Sequence, residues 1–349
     1  MGSRAAYFPQ LDGFRAIAVI LVLLVHSGFF LFNAGWIGVP IFFVLSGFLI
    51  TRILLNAKTS QHYFRAFYSR RILRIFPIYY LVLFFCLAWG ITMKSNVSQF
   101  YYYVFYMQSF TISHNVQPPF CNGLMGHTWS LSVEELFYLV WPAVIYFFSR
   151  KQLISLCVLL SLFSFSYKII QIFYGTEQTA LLSGAGNLDC LMAGSFLSLY
   201  VCSGQRSFAQ TQRKWLILIL VLTLSLIGAQ YFQFPTKILF LCKILLSVST
   251  AWLSFFVILF FVSKQQHSPE ISRFFSNRVL IYIGKISYGL YLYHMLIYRF
   301  ISSCLFHYKM SLDPIFELFL KISITFLVSV ISWHLIEKPL LSLKERLTY

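Results

Sequence analysis

The sequence predicts an all-α, polytopic integral membrane protein with about ten transmembrane helices. Hydrophobic residues make up 59% of its 349 residues and charged residues only 11%, whereas a soluble domain carries about 25% charged residues. Apolar runs of about 18 to 25 residues, the length that spans a bilayer, recur along the chain. These observations exclude a soluble globular protein. The first run has no small-residue cleavage site after it, which favours a retained helix over a signal peptide.

The net charge of +17 indicates membrane topology more than a nucleic-acid partner. The basic residues lie in short segments between apolar runs, as in cytoplasmic loops. The seven cysteines are an odd number, lie mostly inside apolar runs and show no CxxC spacing. They therefore predict neither a disulfide framework nor a zinc site. We expect no nucleic acid and no metal.

The apolar runs predict ten spans and both termini in the cytoplasm. The spans are 11–32, 39–57, 76–93, 124–148, 152–174, 184–203, 214–232, 237–262, 280–304 and 314–336. With the N-terminus inside, the inner segments carry Lys58, Arg65, Arg70, Arg71, Arg74, Arg150, Lys151, Arg206, Arg213, Lys214, Lys264, Arg273, Arg278, Lys338, Lys344 and Arg346. The outer loops hold little besides Lys94, Lys237 and Lys309. This asymmetry sets the predicted orientation.

Residues 97–112 are apolar enough to span but short and rich in tyrosine, which favours a helix lying at the interface. An eleventh span there would move Arg150 and Lys151 outside. We therefore expect an outer aromatic segment and loop over 94–123 and a cytoplasmic Arg-rich loop over 58–76. The whole chain, 1–349, is expected to form a single membrane domain without an internal repeat or an appended soluble domain.

The first span, LDGFRAIAVILVLLVH over residues 11–26, carries two ionisable groups. Arg15 lies near its start and His26 eleven residues later, roughly 16 Å apart along a helix axis. An unpaired Arg at the centre of a membrane helix costs about 2.5–3.5 kcal/mol on insertion scales. The pair therefore indicates a polar path through the protein. The alternatives are an interfacial Arg15 beside Asp12 and a His26 that only packs between helices.

The second span begins with GWIGVPIFFVLSGFLI, residues 35–50. Its small residues are Gly35, Gly38, Ser46 and Gly47. Such residues let helices approach closely. We interpret them as making room for a narrow, extended ligand beside the first helix, and helix packing alone explains them about as well.

The inner segment YSRRILRIFP, residues 68–77, concentrates arginine. Arg71 and Arg74 are three residues apart and share a face if the segment is helical, with Arg70 to one side. Arginine clusters suit multidentate binding of phosphate groups. Positive-inside topology explains the number of charges as well, but not the use of arginine throughout in place of lysine.

The fourth span starts with GHTWSLSVEELFY, residues 126–138, and carries two adjacent carboxylates. Glu134 and Glu135 point about 100° apart on a helix, so at least one of them faces the protein interior. Ser130 lies on the same face as Glu134, four residues earlier. The predicted topology puts these groups at the depth of His26, where a carboxylate would orient the imidazole as a general base. The alternative is a structural carboxylate bonded to Ser or Trp.

The later spans carry further polar residues for which structural roles are favoured. They are Asp189, the group Ser287, Tyr288, Tyr291 and His294 on successive helical turns, and the charged pair Glu337 and Lys338 at a helix stop. The Gly184-Ala-Gly186 sequence is not a dinucleotide fingerprint, because no strand precedes it and the third glycine is absent.

Taken together, six stretches resemble the successive motifs of the membrane-bound acyltransferase 3 family. They are LDGFRAIAVILVLLVH, GWIGVPIFFVLSGFLI, YSRRILRIFPIYY, HTWSLSVEELFY, GKISYGLYLYH and IEKPLL. The resemblance covers nearly the whole chain and is strongest through residue 145 and again from residue 280. It implies a ten-helix bacterial inner-membrane protein that O-acylates, usually O-acetylates, glycans exported from the cell. The residues at which it implies roles are the Arg-x10-His pair Arg15 and His26, then Arg71 and Arg74, then Trp129, Ser130 and Glu134.

The sequence departs from the family pattern at two positions. Relatives often carry Asp after Gly-Val in the second motif, where this chain has Pro40. In the sixth span an Arg commonly precedes the Leu-Asp pair, where this chain has Asn187. The second departure weakens any catalytic role transferred to Asp189.

The resemblance implies a multi-pass O-acetyltransferase that uses cytoplasmic acetyl-CoA to modify a sugar hydroxyl of a surface glycan, most simply lipopolysaccharide O-antigen. The pantetheine arm of CoA would thread beside the first helix to a thioester held at His26, and Glu134 or Glu135 would orient His26 as the base. The predicted cofactor-binding residues are Arg15, Ser46, Arg71 and Arg74, and the predicted catalytic residues are His26, Ser130, Glu134 and Glu135.

Other functions remain as alternatives. A transporter or flippase of lipid-linked sugars would share the spans and the intramembrane charges, although the inverted repeats and broken helices common in transporters are not found in the sequence. A structural membrane subunit would tolerate loss of Arg15 and His26 together. The acceptor of the enzyme could also be an exopolysaccharide, peptidoglycan or a small natural product. Direct transfer and a route through an acyl-histidine would use the same residues.

Overall fold

The structure is a computed structural model that describes residues 7–117, 119–202, 210–263 and 269–343. These residues form helices and turns, and no strand occurs among them, which confirms the all-α prediction. Four basic residues assigned to inner segments, Arg206, Lys264, Lys344 and Arg346, lie outside the described ranges.

Ten long helices, here α1–α10, carry the described part of the fold. They are α1 Pro9–Val25, α2 Gly38–Ala57, α3 Tyr63–Thr92, α4 Trp129–Phe147, α5 Arg150–Tyr174, α6 Leu188–Cys202, α7 Gln210–Ala229, α8 Thr236–Val262, α9 Ser287–His307 and α10 Pro314–Ser332. Short α-helices cover Phe100–Val104, Gln108–Ser113, Glu177–Leu182, Pro269–Phe275, Arg278–Lys285 and Lys338–Leu343. 3₁₀ helices cover Phe30–Ile37, Phe120–Gly123, Gly126–Thr128 and Ala185–Asn187, and a π-helix covers Trp333–Glu337.

Eight helical stretches in the described residues are long and apolar enough to cross a membrane. They are Phe30–Ala57, Tyr63–Thr92, Gly126–Phe147, Arg150–Tyr174, Ala185–Cys202, Gln212–Ala229, Thr236–Val262 and Pro314–Leu343. The polytopic fold class is therefore confirmed. The first and ninth predicted spans are also helical, as α1 and α9, but α1 has only 17 residues, fewer than the roughly 20 that cross a bilayer. Ten spans and cytoplasmic termini remain predictions.

The segment 58–76, predicted as a loop, is helical from Tyr63 onward. Pro77 lies inside α3. The difference arises because arginines end an apolar run without ending a helix, since arginine is a good helix former. The arginines of this segment therefore belong to the regular helix α3.

Residues 97–112 fold into two short helices, Phe100–Val104 and Gln108–Ser113. Tyr106 interrupts them with a φ of 53°, a left-handed conformation that an L-residue seldom adopts. Each helix has six residues or fewer, far short of a membrane span. Their position at the outer interface remains a prediction.

Glycines let the helices around the first two spans pack backbone to backbone. Gly47 on α2 faces Gly194 on α6 across one crossing. A Cβ at Gly47 would overlap the Leu191 carbonyl, and a Cβ at Gly194 would overlap the Val44 carbonyl. This is the close approach that small residues permit between membrane helices. It holds α2 against α6 at the centre of the molecule.

A second glycine pair seats α1 against the chain that precedes α9. A Cβ at Gly13 would overlap the Phe275 carbonyl, and one at Gly284 would overlap the Asp12 carbonyl. Because Ile286 is the one residue between Arg278–Lys285 and α9, this crossing also positions α9 beside α1.

Asp189 has a structural explanation in a buried ion pair. Its carboxylate lies 2.7 Å from Lys168 Nζ and accepts a hydrogen bond from Ser164 at 3.2 Å. Lys168 also donates to Ser247 at 3.4 Å. A buried charge needs such partners. The cluster joins α5, α6 and α8, and the favoured structural role of Asp189 accords with it.

Candidate active site

Two adjoining cavities contain all eight predicted site residues. The smaller, here the arginine chamber, has a volume of about 80 Å³ and is lined by Arg15, Ser46, Arg71, Arg74, Ser130, Glu134 and Glu135, among others. The larger, here the histidine cavity, has a volume of about 630 Å³ and is lined by His26 and His127. Val39 and Tyr291 line both cavities. They therefore form the boundary between the two.

The cation that α1 contributes to the arginine chamber is held by an ion pair. Arg15 Nη1 lies 3.2 Å from Asp12 Oδ1, three residues earlier on the helix. Tyr7, which precedes α1, donates to the other carboxylate oxygen at 2.6 Å. Partial burial and this bond to Asp12 raise the pKa of Tyr7 to about 12, so Tyr7 remains a donor at neutral pH. Asp12 thus orients Arg15 toward the chamber.

Arg71 and Arg74 reach the chamber from one face of α3, as their spacing predicted. The Arg71 guanidinium carbon lies 5.3 Å from the ring centre of Tyr138 and 5.7 Å from that of Phe67. Stacking on aromatic rings is a property of the planar guanidinium. These contacts fix the direction in which Arg71 points.

Glu134 belongs to the arginine chamber, and the predicted contact with His26 is not formed among the described residues. Its carboxylate accepts hydrogen bonds from Ser46 at 2.8 Å and from Tyr138 at 3.1 Å. The same Tyr138 hydroxyl lies 3.1 Å from Ser46 Oγ, so the carboxylate and Ser46 compete for its single proton. One polar network therefore joins Ser46 on α2 to Glu134 and Tyr138 on α4. Glu135 lines the same chamber.

The depth of the two groups explains this correction. His26 lies at the level of His127, which precedes the start of α4 at Trp129. Glu134 comes seven residues after His127, roughly 10 Å further along the helix. Sequence reasoning located the carboxylates at the start of the fourth span, but the helix carries them one to two turns deeper.

His26 pairs with another histidine in place of a carboxylate. It ends α1 and its Nδ1 lies 2.9 Å from the Val22 carbonyl oxygen. The same nitrogen lies 3.2 Å from Nε2 of His294 on α9. The two rings are 4.9 Å apart between centroids. His294 was assigned a structural role from the sequence, although a histidine inside an apolar helix was a usable signal.

His127 is the other site residue that sequence reasoning did not single out. It is 6% exposed, lines the histidine cavity, and its ring centroid lies 4.8 Å from that of His294. Neither of its ring nitrogens makes a hydrogen bond of good geometry among the described residues, although the backbone of Tyr291 and Leu292 lies close by. Such groups are rare in proteins and often mark ligand sites. His127 is the first residue of the HTWSLS stretch, where the signal was present.

Ser130 and Tyr291 form a hydrogen-bonded chain at the boundary between the cavities. Tyr291 donates its hydroxyl proton to the carbonyl oxygen of His127, so Ser130 donates to the Tyr291 oxygen, at 2.6 Å. The chain connects α9 to the start of α4. It places Ser130 where the two cavities meet, with the hydroxyl proton of Ser130 engaged in the hydrogen bond to Tyr291.

Apart from its histidines, the histidine cavity has a largely apolar wall that carries polar groups and one balanced pair of charges. Lys243 Nζ lies 2.6 Å from Glu177 Oε1. The other polar and aromatic lining residues include Asn33, Trp36, Trp129, Gln178, Asn187 and Gln230. No group of three His, Cys, Asp or Glu side chains suited to a metal ion occurs in the described part of the chain. The arrangement suits an uncharged ligand that offers hydroxyl and amide groups.

Both departures from the family pattern line the histidine cavity. Pro40 lies where relatives often carry Asp, so the cavity has an apolar ring there. Asn187 lies where an Arg is common, and its amide donates to the carbonyls of Leu181 and Ser183 at 2.9 and 2.8 Å. Each departure removes a charge from the cavity wall.

The chain matches known acyltransferases over most of its length. Residues 8–334 match the acyltransferase domain family. O-acetyltransferase OatA of Staphylococcus aureus (strain NCTC 8325 / PS 47) is 30% identical over 359 aligned positions, which cover 96% of this chain and 57% of that protein. Peptidoglycan O-acetyltransferase OatA of Listeria monocytogenes serovar 1/2a is 29% identical over 367 positions, covering 96% and 56%. The chain thus spans less than two thirds of these relatives. No solved structure matches it significantly.

Proposed function

The chain belongs to the acyltransferase domain family, as its motifs predicted, and we propose that it transfers an acetyl group from acetyl-CoA to a sugar hydroxyl of a cell-surface glycan. One observation carries the proposal: an arginine-lined chamber meets a histidine-lined cavity at Val39 and Tyr291. An anionic donor and a neutral acceptor can then approach one point from two sides. We place this enzyme in the bacterial inner membrane as a multi-pass protein.

The donor enters through the arginine chamber. Arg15, Arg71 and Arg74 supply guanidinium groups that bind phosphates in a bidentate manner. The chamber volume of about 80 Å³ is far below the roughly 300–1,000 Å³ of sites that enclose a whole cofactor. It can therefore admit only part of the narrow pantetheine arm, while the nucleotide and its phosphates remain at the arginine-lined mouth. Ser46 and Glu134 line the path of the arm.

The acceptor occupies the histidine cavity. A volume of about 630 Å³ is within the range of ordinary ligand sites. Amides such as Gln178 and Gln230 can hydrogen-bond to sugar hydroxyls, and the indoles of Trp36 and Trp129 offer apolar faces for a sugar ring. The pairing of Lys243 with Glu177 leaves the cavity without a net charge from these two groups, which favours a neutral sugar.

His26 acts as the general base. It takes the proton of the sugar hydroxyl, and the sugar oxygen forms a bond to the thioester carbonyl carbon. The carbon–sulfur bond then breaks, and the CoA thiolate takes the proton from His26. The products are a sugar ester and free CoA. Glu134 and Glu135 act at the chamber beside the arginines, and Ser130 acts at the boundary through Tyr291.

The identity of the glycan is a finer part of the proposal. The motif-based prediction was lipopolysaccharide O-antigen, whereas one relative is named a peptidoglycan O-acetyltransferase. Both are surface glycans with sugar hydroxyls, and the name of that relative favours peptidoglycan as the second candidate. Isolated lipopolysaccharide and isolated peptidoglycan from the same cells distinguish them.

The test expresses the wild type and His26→Ala in a host that lacks the gene. Base-labile acetyl esters on both isolated glycans are quantified by NMR. We expect esters with the wild type and none with His26→Ala at equal protein level in the membrane. Esters retained by His26→Ala would refute its role as the base. No ester with the wild type, together with no binding of labelled acetyl-CoA, would favour the transporter alternative.

A further inference from the structure

His294 occupies a buried position between the base and the backbone of α9. Its side chain is 0% exposed. Nδ1 lies 2.6 Å from the carbonyl oxygen of Tyr291, one turn earlier on the same helix. Nε2 lies 3.2 Å from Nδ1 of His26. Both ring nitrogens therefore have defined partners, and those partners fix where the protons are.

The tautomer of His294 follows from the carbonyl group. An oxygen of a backbone carbonyl only accepts, so Nδ1 of His294 carries the proton and donates it to Tyr291. A second proton on Nε2 would place a charge in a fully buried position, at a high cost in free energy. Nε2 of His294 therefore presents a lone pair to His26.

The tautomer of His26 follows in turn. Its Nδ1 faces two acceptors, the Val22 carbonyl oxygen at 2.9 Å and the His294 lone pair at 3.2 Å. That nitrogen must carry the proton, because an unprotonated Nδ1 would oppose two lone pairs. The neutral ring then has its own lone pair on Nε2, the nitrogen with no partner among the described residues, in a ring that lines the histidine cavity.

We propose that His294 is a positioning residue that holds His26 in the tautomer needed for general-base catalysis. This inference rests on the proposed function. Selection of a tautomer by the partner of the second ring nitrogen is the principle by which a buried carboxylate acts in hydrolase triads. Here an imidazole takes that place. When His26 accepts the proton of the sugar hydroxyl at Nε2, its Nδ1–H still donates to His294.

Two amide substitutions separate this role from packing. In His294→Gln the amide oxygen reaches the position of Nε2 and can accept from His26. In His294→Asn the amide reaches only the position of Nδ1, so the bond to Tyr291 is kept and the one to His26 is lost. His294→Phe removes both. Tyr298→Phe is the matched control, since it removes a 3.2 Å hydrogen bond from α9 to the Leu23 carbonyl on α1.

The experiment measures kcat and KM for acetyl transfer in membranes that contain each variant at a measured level. We expect Asn and Phe to lower kcat at least about 10- to 100-fold, the effect of removing the hydrogen-bond partner that orients a metal-bound imidazole. KM for acetyl-CoA should stay within about twofold, Gln should restore most of kcat, and Tyr298→Phe should behave as wild type.

Equal activities for the Gln and Asn variants, or a wild-type kcat for Phe, would overturn the role of His294. If Phe fails to accumulate in the membrane, the comparison of Gln with Asn decides alone. Failure of the proposed function itself looks different. In that case the wild type transfers no acetyl group. If only the positioning role of His294 is wrong, the wild type still transfers acetyl groups and His26→Ala still does not.

Discussion

At the scale of single residues, the histidine cavity contains one buried side chain whose polar atoms are poorly satisfied by the protein itself. His127 is almost fully buried, and neither ring nitrogen makes a hydrogen bond of good geometry among the described residues. A buried polar group without a partner costs about 1–3 kcal/mol. A protein can tolerate this cost where a ligand supplies the missing hydrogen bond. The His127 ring lies on the cavity wall close to His294. We therefore assign His127 to acceptor or acyl-group binding.

The substitution His127→Phe tests this assignment. Phenylalanine keeps a ring of similar size and removes both unsatisfied nitrogens. We expect thermal stability in detergent to stay level or rise by about 1 kcal/mol, while acetyl transfer falls by about tenfold or more. His114→Phe, at an exposed position outside both cavities, serves as the control and should change neither quantity. Wild-type transfer by His127→Phe would show that its nitrogens contact no ligand.

At the scale of helices, the crossing of α2 and α6 sets the position of the residues on α2 that line the cavities. Val39 and Ser46 lie on the same helix as Gly47, and Gly47 touches the backbone of α6. A shift of α2 would move the boundary residue Val39 and break the hydrogen bond between Ser46 and Glu134. Packing at this crossing therefore affects both stability and catalysis.

Gly47→Ala should be destabilising and should reduce transfer. The added methyl group overlaps the carbonyl oxygen of Leu191, and overpacking of this kind costs about 1–3 kcal/mol. The control is Gly228→Ala on α7, where a Cβ has no atom within 4 Å. It should be neutral or stabilising by about 0.5–1 kcal/mol, because alanine favours the helix. The measurement is thermal unfolding in detergent, and equal midpoints for the two variants would contradict the packing argument.

Helices are also the scale at which sequence reasoning succeeded and failed most clearly. Apolar length located the long helices, and the spacing of Arg71 and Arg74 identified their shared face. Hydropathy misplaced the start of α3 because arginine interrupts an apolar pattern without interrupting a helix. Hydropathy also predicted the wrong depth for Glu134. An apolar run shows where a helix begins in the sequence, but not how far that helix is shifted along its axis against the neighbouring helices.

At the scale of the whole molecule, the site depends on how distant helices meet. Seven of the eight predicted residues line the arginine chamber, so the motifs identified the site without its division into two cavities. Pairing of His26 with His294, 268 residues away in sequence, depends on the packing of α9 beside α1. A single sequence does not show which residues of two such distant helices lie side by side. For this reason the sequence predicted a carboxylate as the partner of His26, whereas the partner in the structure is His294.

Division into two cavities predicts that donor and acceptor binding can be altered separately. Arg71→Ala removes a guanidinium from the arginine chamber and should raise KM for acetyl-CoA about tenfold, with KM for the glycan unchanged. Lys243→Met breaks the 2.6 Å ion pair with Glu177 in the histidine cavity, and should raise KM for the glycan while KM for acetyl-CoA stays unchanged. Initial rates measured while each substrate is varied give both constants.

Each variant has a control on its own helix. Arg65→Ala removes an exposed arginine of α3 that lines neither cavity. Lys237→Met removes a lysine of α8 that lies near the Phe173 ring and outside the histidine cavity. Both should leave the two KM values at wild type. A single substitution that raised both KM values equally would mean that the two substrates share one cavity, since separate cavities give each variant one affected substrate.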